Sequence, residues 1–219
     1  MKILAVNGSP RKNWNTGTLL RKCMEGATSQ GAETEFIYLY NLNFKGCQSC
    51  FSCKTIDGKS YGKCARKDDI TSILERVRDA DGIILGSPVY LGAVTGAMRS
   101  FLERLVFPYV VYDGVSTLFP RKINIGFIYT MNLTESAVQR GRLGLDKHIS
   151  ATEMILQLVF GASESLLVTD TYQFDDYSKV FAPRFDAEQK AKRRREVFPL
   201  DCQKAFEMGV RFAKASGAS

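Results

Sequence analysis

The chain has a single histidine, His148, in 219 residues, and no serine or cysteine that stands beside a recognisable base. Acid–base schemes that rely on imidazole, and hydrolysis through an activated nucleophile, are therefore poorly supported. His148 itself reads as a surface or capping residue. No apolar run approaches the roughly 18 residues that a membrane span requires. The apolar opening Ile3-Leu4-Ala5-Val6 turns at Asn7-Gly8, too soon for a signal peptide, so a cytoplasmic protein without membrane contact is expected. Neither nucleotide fingerprint occurs: G-x-G-x-x-G and G-x-x-x-x-G-K-[ST] are both missing. The formal charge of +7 has no interleaved aromatics at its densest point, Lys190 to Arg195 between Pro183 and Pro199, so nucleic acid is not an expected partner. That run reads as a solvated helix start or loop, or as a mild attraction for a phosphate-bearing cofactor. Six cysteines are too few for a disulfide scaffold in a chain this long, and four of them fall within 18 residues. In a reducing compartment such crowding points to metal or redox chemistry.

What the chain does have is a regular alternation of strand-like and helical patterns. Short apolar runs at 3–6, 36–39, 83–85, 123–128 and 166–169 read as five strands. Between them, Leu20, Cys23, Met24 and Ala27, then Ile70, Ile73, Leu74 and Val77, then Val94, Met98, Phe101, Leu102 and Leu105 follow helical spacing. A last helix carries Cys202, Ala205, Phe206, Gly209, Val210 and Ala213. Cys23 and Cys202 thereby read as core residues. The rhythm predicts one α/β domain over 1–219, a parallel sheet covered on both faces. Residues 170–197 fit no regular period and read as an arm whose aromatics cover the active site or pack on a neighbouring subunit.

Open parallel sheets bind ligands at the carboxyl ends of their strands. After the first strand, Asn7-Gly8-Ser9-Pro10-Arg11-Lys12-Asn13-Trp14-Asn15-Thr16-Gly17-Thr18 precedes a helix. Hydroxyl and amide side chains at a helix N-terminus, with the guanidinium of Arg11, make a phosphate site, and the missing fingerprints leave a monophosphate. The plainer reading makes Ser9, Asn15 and Thr16 turn formers and helix caps. After the third strand, Pro88 fixes the backbone, Val89 and Leu91 offer apolar contact, and Tyr90 offers an aromatic face with a hydroxyl, a wall suited to a flat ring with polar edges.

Gly8-Ser9-Pro10-Arg11 with Asn15-Thr16, and Gly86-Ser87-Pro88-Val89-Tyr90-Leu91-Gly92, together resemble the two flavin loops of the NADPH-dependent FMN reductase family. The resemblance covers roughly residues 1 to 170. It implies a flavodoxin-like three-layer sandwich with a five-stranded parallel sheet in the order 2-1-3-4-5. It also implies FMN held by Ser9, Arg11, Asn15, Thr16 and Gly17, with Pro88, Val89, Tyr90, Leu91 and Gly92 along its ring. NAD(P)H would be the reductant. Tyr129-Thr130-Met131-Asn132 stands where the family has a third flavin loop, with Thr130 as a contact, but lacks the T-x-G-G pattern common there. At least a homodimer is implied, and the stripe at Leu102, Leu105, Phe107 and Pro108 is a candidate contact.

Cys47, Cys50 and Cys53 lie in C-x-x-C-x-x-C spacing, and Cys64 follows after ten residues, within a cysteine-rich loop at 46–65. Three sulfurs so spaced can turn to one centre, and a fourth completes the ligands of a [4Fe-4S] cluster. Zinc on four cysteines, free thiols, a labile disulfide or a remnant that shapes a loop are the alternatives. The segment resembles that of the iron–sulfur flavoproteins, whose last interval is typically shorter. The combined reading is an FMN-dependent oxidoreductase that passes electrons from NAD(P)H to a quinone, flavin or other small acceptor. Its rival is an FMN electron-transfer protein, with or without a cluster, that serves a protein partner. A third reading is a sensor whose cysteine loop reports redox state or metal.

Overall fold

The computed structural model of the chain describes residues 1–141 and 144–215. Its central sheet runs β2-β1-β3-β5-β6, all parallel, from β1 (Lys2–Asn7), β2 (Glu33–Tyr38), β3 (Gly82–Tyr90), β5 (Ile123–Thr130) and β6 (Gly161–Val168). This is the doubly wound sandwich that the resemblance implies. One element was not expected: β4 (Ala93–Val94) folds back antiparallel on the end of β3. The sheet therefore has six strands, and the expected order 2-1-3-4-5 survives only when β4 is left out of the count.

Alternation along the inner strands sends successive side chains to opposite faces. Leu4, Val6, Ile83, Leu85, Ile125 and Phe127 enter one core, which also takes side chains of α2 (Thr71–Asp79), α3 (Gly96–Val106) and α5 (Leu145–Phe160). Ile3, Ala5, Ile84 and Ile128 enter the other, with α1 (Asn15–Thr28) and α7 (Phe198–Ala215). Those two helices pack closely enough that a Cβ on Gly26 would meet Phe206 O at 2.0 Å, and one on Gly209 would meet Cys23 O at 1.8 Å. The two glycines let the backbones touch.

Several boundaries differ from expectation for physical reasons. β6 starts at Gly161 rather than at 166, because Gly-Ala-Ser-Glu-Ser on an edge strand carries no apolar run. The crossover before it is α5, an unexpected helix whose buried Leu145, Ile149, Thr152, Leu156, Val159 and Phe160 keep helical spacing. The arm is not irregular throughout: α6 (Ala187–Glu196) begins at Asp186, whose carboxylate accepts from the backbone N–H groups of Glu188 and Gln189. The basic run in α6 is correspondingly not a solvated loop, for Lys190 is only 4% exposed. Cys23 is fully buried as expected, whereas Cys202 is half-buried at the edge of the same core. Leu102 and Leu105 are buried within the chain, so they do not form the exposed dimer stripe. Among the described residues no helix is long and apolar enough to cross a membrane.

Candidate functional site

The carboxyl edge of the sheet gathers three loops around a cavity of about 140 Å³. Ser9, Arg11, Asn15, Thr16, Pro88, Val89, Tyr90 and Thr130 all line it. Gly8 seats the first loop, since its N–H donates to Gly86 O at 2.8 Å and a Cβ there would meet Met98 Cβ at 2.8 Å. Thr95, which caps α3, ties the same loop to the start of that helix by donating its hydroxyl to Gly8 O at 2.6 Å. The loop then folds onto the start of α1 at Gly17, where a Cβ would meet Lys12 O at 2.0 Å. Gly17 lies beside the cavity and makes that close approach feasible; it does not line the cavity.

No side chain caps α1 and its first turn holds no acid. Of the plainer reading of Ser9, Asn15 and Thr16 as turn formers and caps, the capping half fails: Ser9 Oγ does bond within its own turn, but Thr16 Oγ1 pairs with Thr130 Oγ1 at 2.7 Å and no side chain caps the helix. An uncapped N-terminus leaves first-turn N–H groups and the positive end of the helix dipole for an anion. Nearby, Asn7 Oδ1 accepts from Ser9 N–H at 2.8 Å while its buried Nδ2 has no partner. These features fit a phosphate group.

The wall is a β-hairpin. Leu91 (φ 53°) and Gly92 (φ 84°) form its two-residue turn, with both residues in the left-handed region that such a tight turn demands. That geometry aims Tyr90 outward, half-exposed, and leaves Leu91 fully exposed at the tip. Leu91 and Gly92 do not line the cavity. Burial, and then the nearby Tyr40, push the Tyr90 phenol up, so it stays a neutral hydrogen-bonding group.

Residues that the sequence did not single out complete the lining: Trp14 of the first loop, Met131 and Asn132 after β5, and Thr171, Tyr172 and Gln173 of the arm. Tyr172 O accepts from Trp14 Nε1 (3.0 Å) and Asn15 Nδ2 (2.9 Å). Arg11 stacks over the Trp14 ring and donates to Gln173 O at 2.6 Å, with Asp175 at 3.4 Å. Its fork of donors thus reaches the arm as well as the cavity. Arg194 donates to Asn15 Oδ1 at 2.8 Å from α6. Buried Lys190 pins the arm by donating to Asn132 Oδ1 and Asp170 Oδ1. The aromatics of 172–177 were the available signal for this cover.

A second site lies away from the first. Cys47, Cys50, Cys53 and Cys64 line one mostly apolar cavity of about 30 Å³, with Arg104, Phe107 and Pro108. Ser49 (φ 53°) and Phe51 (φ 55°) bracket Cys50 in left-handed conformations that turn the loop tightly. Donors from Ser52 hold the exposed Cys50 thiol below its usual value, while burial pushes Cys53 up. All six cysteines are free thiols. Among the described residues no three such side chains stand close enough for one metal ion. Four cysteines lining one apolar cavity are the soft donors that an iron–sulfur cluster takes as ligands. His148 is in α5, half-buried, and lines neither cavity.

A family model described as NADPH-dependent FMN reductase matches residues 1–126. An iron-sulfur flavoprotein of Methanocaldococcus jannaschii is 40% identical over 104 residues, 48% of this chain and 51% of that one. Another, from Archaeoglobus fulgidus, is also 40% identical over 104 residues, 48% of each chain. This chain thus spans about half the length of the curated relatives it matches. Among solved structures, an NAD(P)H:quinone oxidoreductase from Methanothermobacter marburgensis superposes with a TM-score of 0.71 at 14% identity, covering 96% of this chain and 98% of the other. An archaeal flavodoxin gives 0.53 at 14% identity over 99% of both chains. At such identities these two likenesses establish the fold.

Proposed function

Since the chain belongs to the NADPH-dependent FMN reductase family, we propose that it is an FMN-dependent oxidoreductase taking electrons from reduced nicotinamide to a small acceptor such as a quinone or flavin. The observation that carries the reading is the uncapped, acid-free first turn of α1 opening on a cavity that an aromatic hairpin walls. Bound FMN supplies the redox chemistry, accepting hydride and passing electrons on. The chain supplies position. The backbone of α1's first turn, with Ser9, Asn15, Thr16 and Arg11, holds the phosphate. Pro88, Val89 and Tyr90 present a flat wall to the ring, with Leu91 and Gly92 forming the turn that sets its angle. Thr130 fixes Thr16, and residues 172–173 of the arm screen the first loop from water.

Cys47, Cys50, Cys53 and Cys64 would hold a [4Fe-4S] cluster, which supplies a second one-electron centre. The support is their common cavity, together with the similarity of the chain to iron-sulfur flavoproteins. The cysteine-rich segment and the arm belong to one domain in this reading. The setting is a reducing cytoplasm, and a second copy of the chain is the partner that family resemblance suggests.

The test is direct. Purified, FMN-loaded chain is mixed anaerobically with NADPH or NADH and its flavin absorbance is followed. Bleaching without any added protein supports the reductase. A flavin that stays oxidised with both nucleotides, yet is reduced by a small electron-transfer protein, favours the rival reading.

A further inference from the structure

Arg104 is the largest fully buried side chain of the described residues, and its guanidinium has no solvent exposure. A guanidinium cannot shed its charge, so burial requires that its donors be used. They are used on the two ends of the cysteine-rich segment. One nitrogen donates to Lys45 O at 3.2 Å, just before Cys47, and to the Asp68 carboxylate. The other terminal nitrogen donates to Arg66 O at 3.0 Å. The third nitrogen, Nε, points its hydrogen at sulfur, with Cys64 Sγ 3.3 Å away. One side chain on α3 therefore closes the loop at both ends and reaches the thiol that the long interval after Cys53 separates from the rest.

We propose that Arg104 is a positioning and tuning residue for Cys64: it returns this sulfur to the other three and, by donating Nε–H to it, raises the reduction potential of the group they hold. The physics is that of any donor aimed at a ligand sulfur. Adding an electron increases negative charge on cluster and thiolates, and a fixed N–H favours the more negative state. The positive charge acts in the same direction, offset in part by Asp68 on the far side of the guanidinium. This inference rests on the cluster reading above and names a residue outside the four cysteines.

The experiment uses the full chain, reconstituted anaerobically with iron and sulfide. Iron and sulfide per chain, FMN affinity and the cluster potential, followed by electron paramagnetic resonance during redox titration, are measured for the wild type, R104K, R104Q and D68N. At equal iron content and unchanged FMN affinity, R104K should titrate at lower potential than the wild type because the Nε donor is lost. R104Q should titrate lower still because the charge goes too. D68N keeps the Nε bond and removes the countercharge, so its potential should rise, and it supplies the test if both Arg104 variants fail to fold. Equal potentials at equal iron overturn the tuning role, and so does iron loss from folded Arg104 variants with no shift in D68N, which would make the arginine only a brace. A wild type that takes up no iron overturns the cluster reading and this inference with it, an outcome distinct from iron-loaded variants with unshifted potentials.

Discussion

The first loop and the cysteine loop each line a cavity and have little regular structure, yet they are built in different ways. The first is seated from several sides: Gly8 N–H bonds to β3, Thr95 bonds to Gly8 O, and the arm bonds to Trp14 and Asn15. Its chemistry lies chiefly in the backbone at the start of a helix. The cysteine loop turns thiol side chains to its cavity, and one buried arginine ties both of its ends, with Cys47 N–H also donating to Glu103 and Lys54 to Pro108 O. A backbone site must be rigid because glycine-sized clearances set it. A side-chain site can be rebuilt around a different interval, as the ten residues before Cys64 show.

The sharpest way to break the comparison is to disable each loop alone. Gly17→Ala forces a methyl group against Lys12 O, so it should abolish measurable FMN binding and cost about 1–3 kcal/mol of stability, the usual penalty for overpacking. The chain should still take up iron. Cys50→Ser should do the reverse, with iron lost and FMN affinity kept, because its loop lines a different cavity. Parallel iron assays and FMN titrations on the two variants check this, and coupled losses in either would show that the loops are one site.

A smaller effect separates charge from backbone within the first loop. Arg11 already donates to Gln173 O, so Arg11→Ala should weaken FMN binding about tenfold, or roughly 1.4 kcal/mol, at the low end for a charge-assisted bond. Isothermal titration reads it, and a loss beyond a thousandfold would mean that the guanidinium dominates over the helix start.

The smallest effect concerns acid. Burial alone would raise the Asp68 carboxyl, but donors from Arg104 and Arg66 hold it below its ordinary value. Its folded pKa is thus depressed, so its contribution is complete above the unfolded value of about 3.9 and is lost as pH falls through the folded value. Denaturant midpoints should fall below about pH 4 in the wild type and fall less in D68N. Equal slopes would remove this ion pair from the acid response. The first loop has no comparable carboxylate in the first turn of α1.

The inner strands were legible because burial on both faces turns Ile3–Val6 and Ile83–Leu85 into unbroken apolar runs. The edge was not, since the first five residues of β6, Gly-Ala-Ser-Glu-Ser, carry no apolar run and only pairing with β5 reveals them. Ser9, Arg11, Asn15, Thr16 and Tyr90 could be picked out because their loops follow strands directly. Trp14 and Arg194 could not, since their partners lie as far as 179 residues away in sequence, whereas Tyr172 falls in the arm whose aromatics were expected to cover the site. Likewise the cysteine spacing marked the four thiols that line one cavity, while nothing near position 104 announced the arginine that ties the loop's ends.

The most direct test of the account is a pair of titrations of the flavin-free chain, one with FMN and one with riboflavin, which lacks only the phosphate. If the start of α1 is a phosphate site, FMN should bind about tenfold to a hundredfold tighter, the worth of one charge-assisted contact of roughly 1.5–3 kcal/mol. Equal affinities for the two flavins would contradict it.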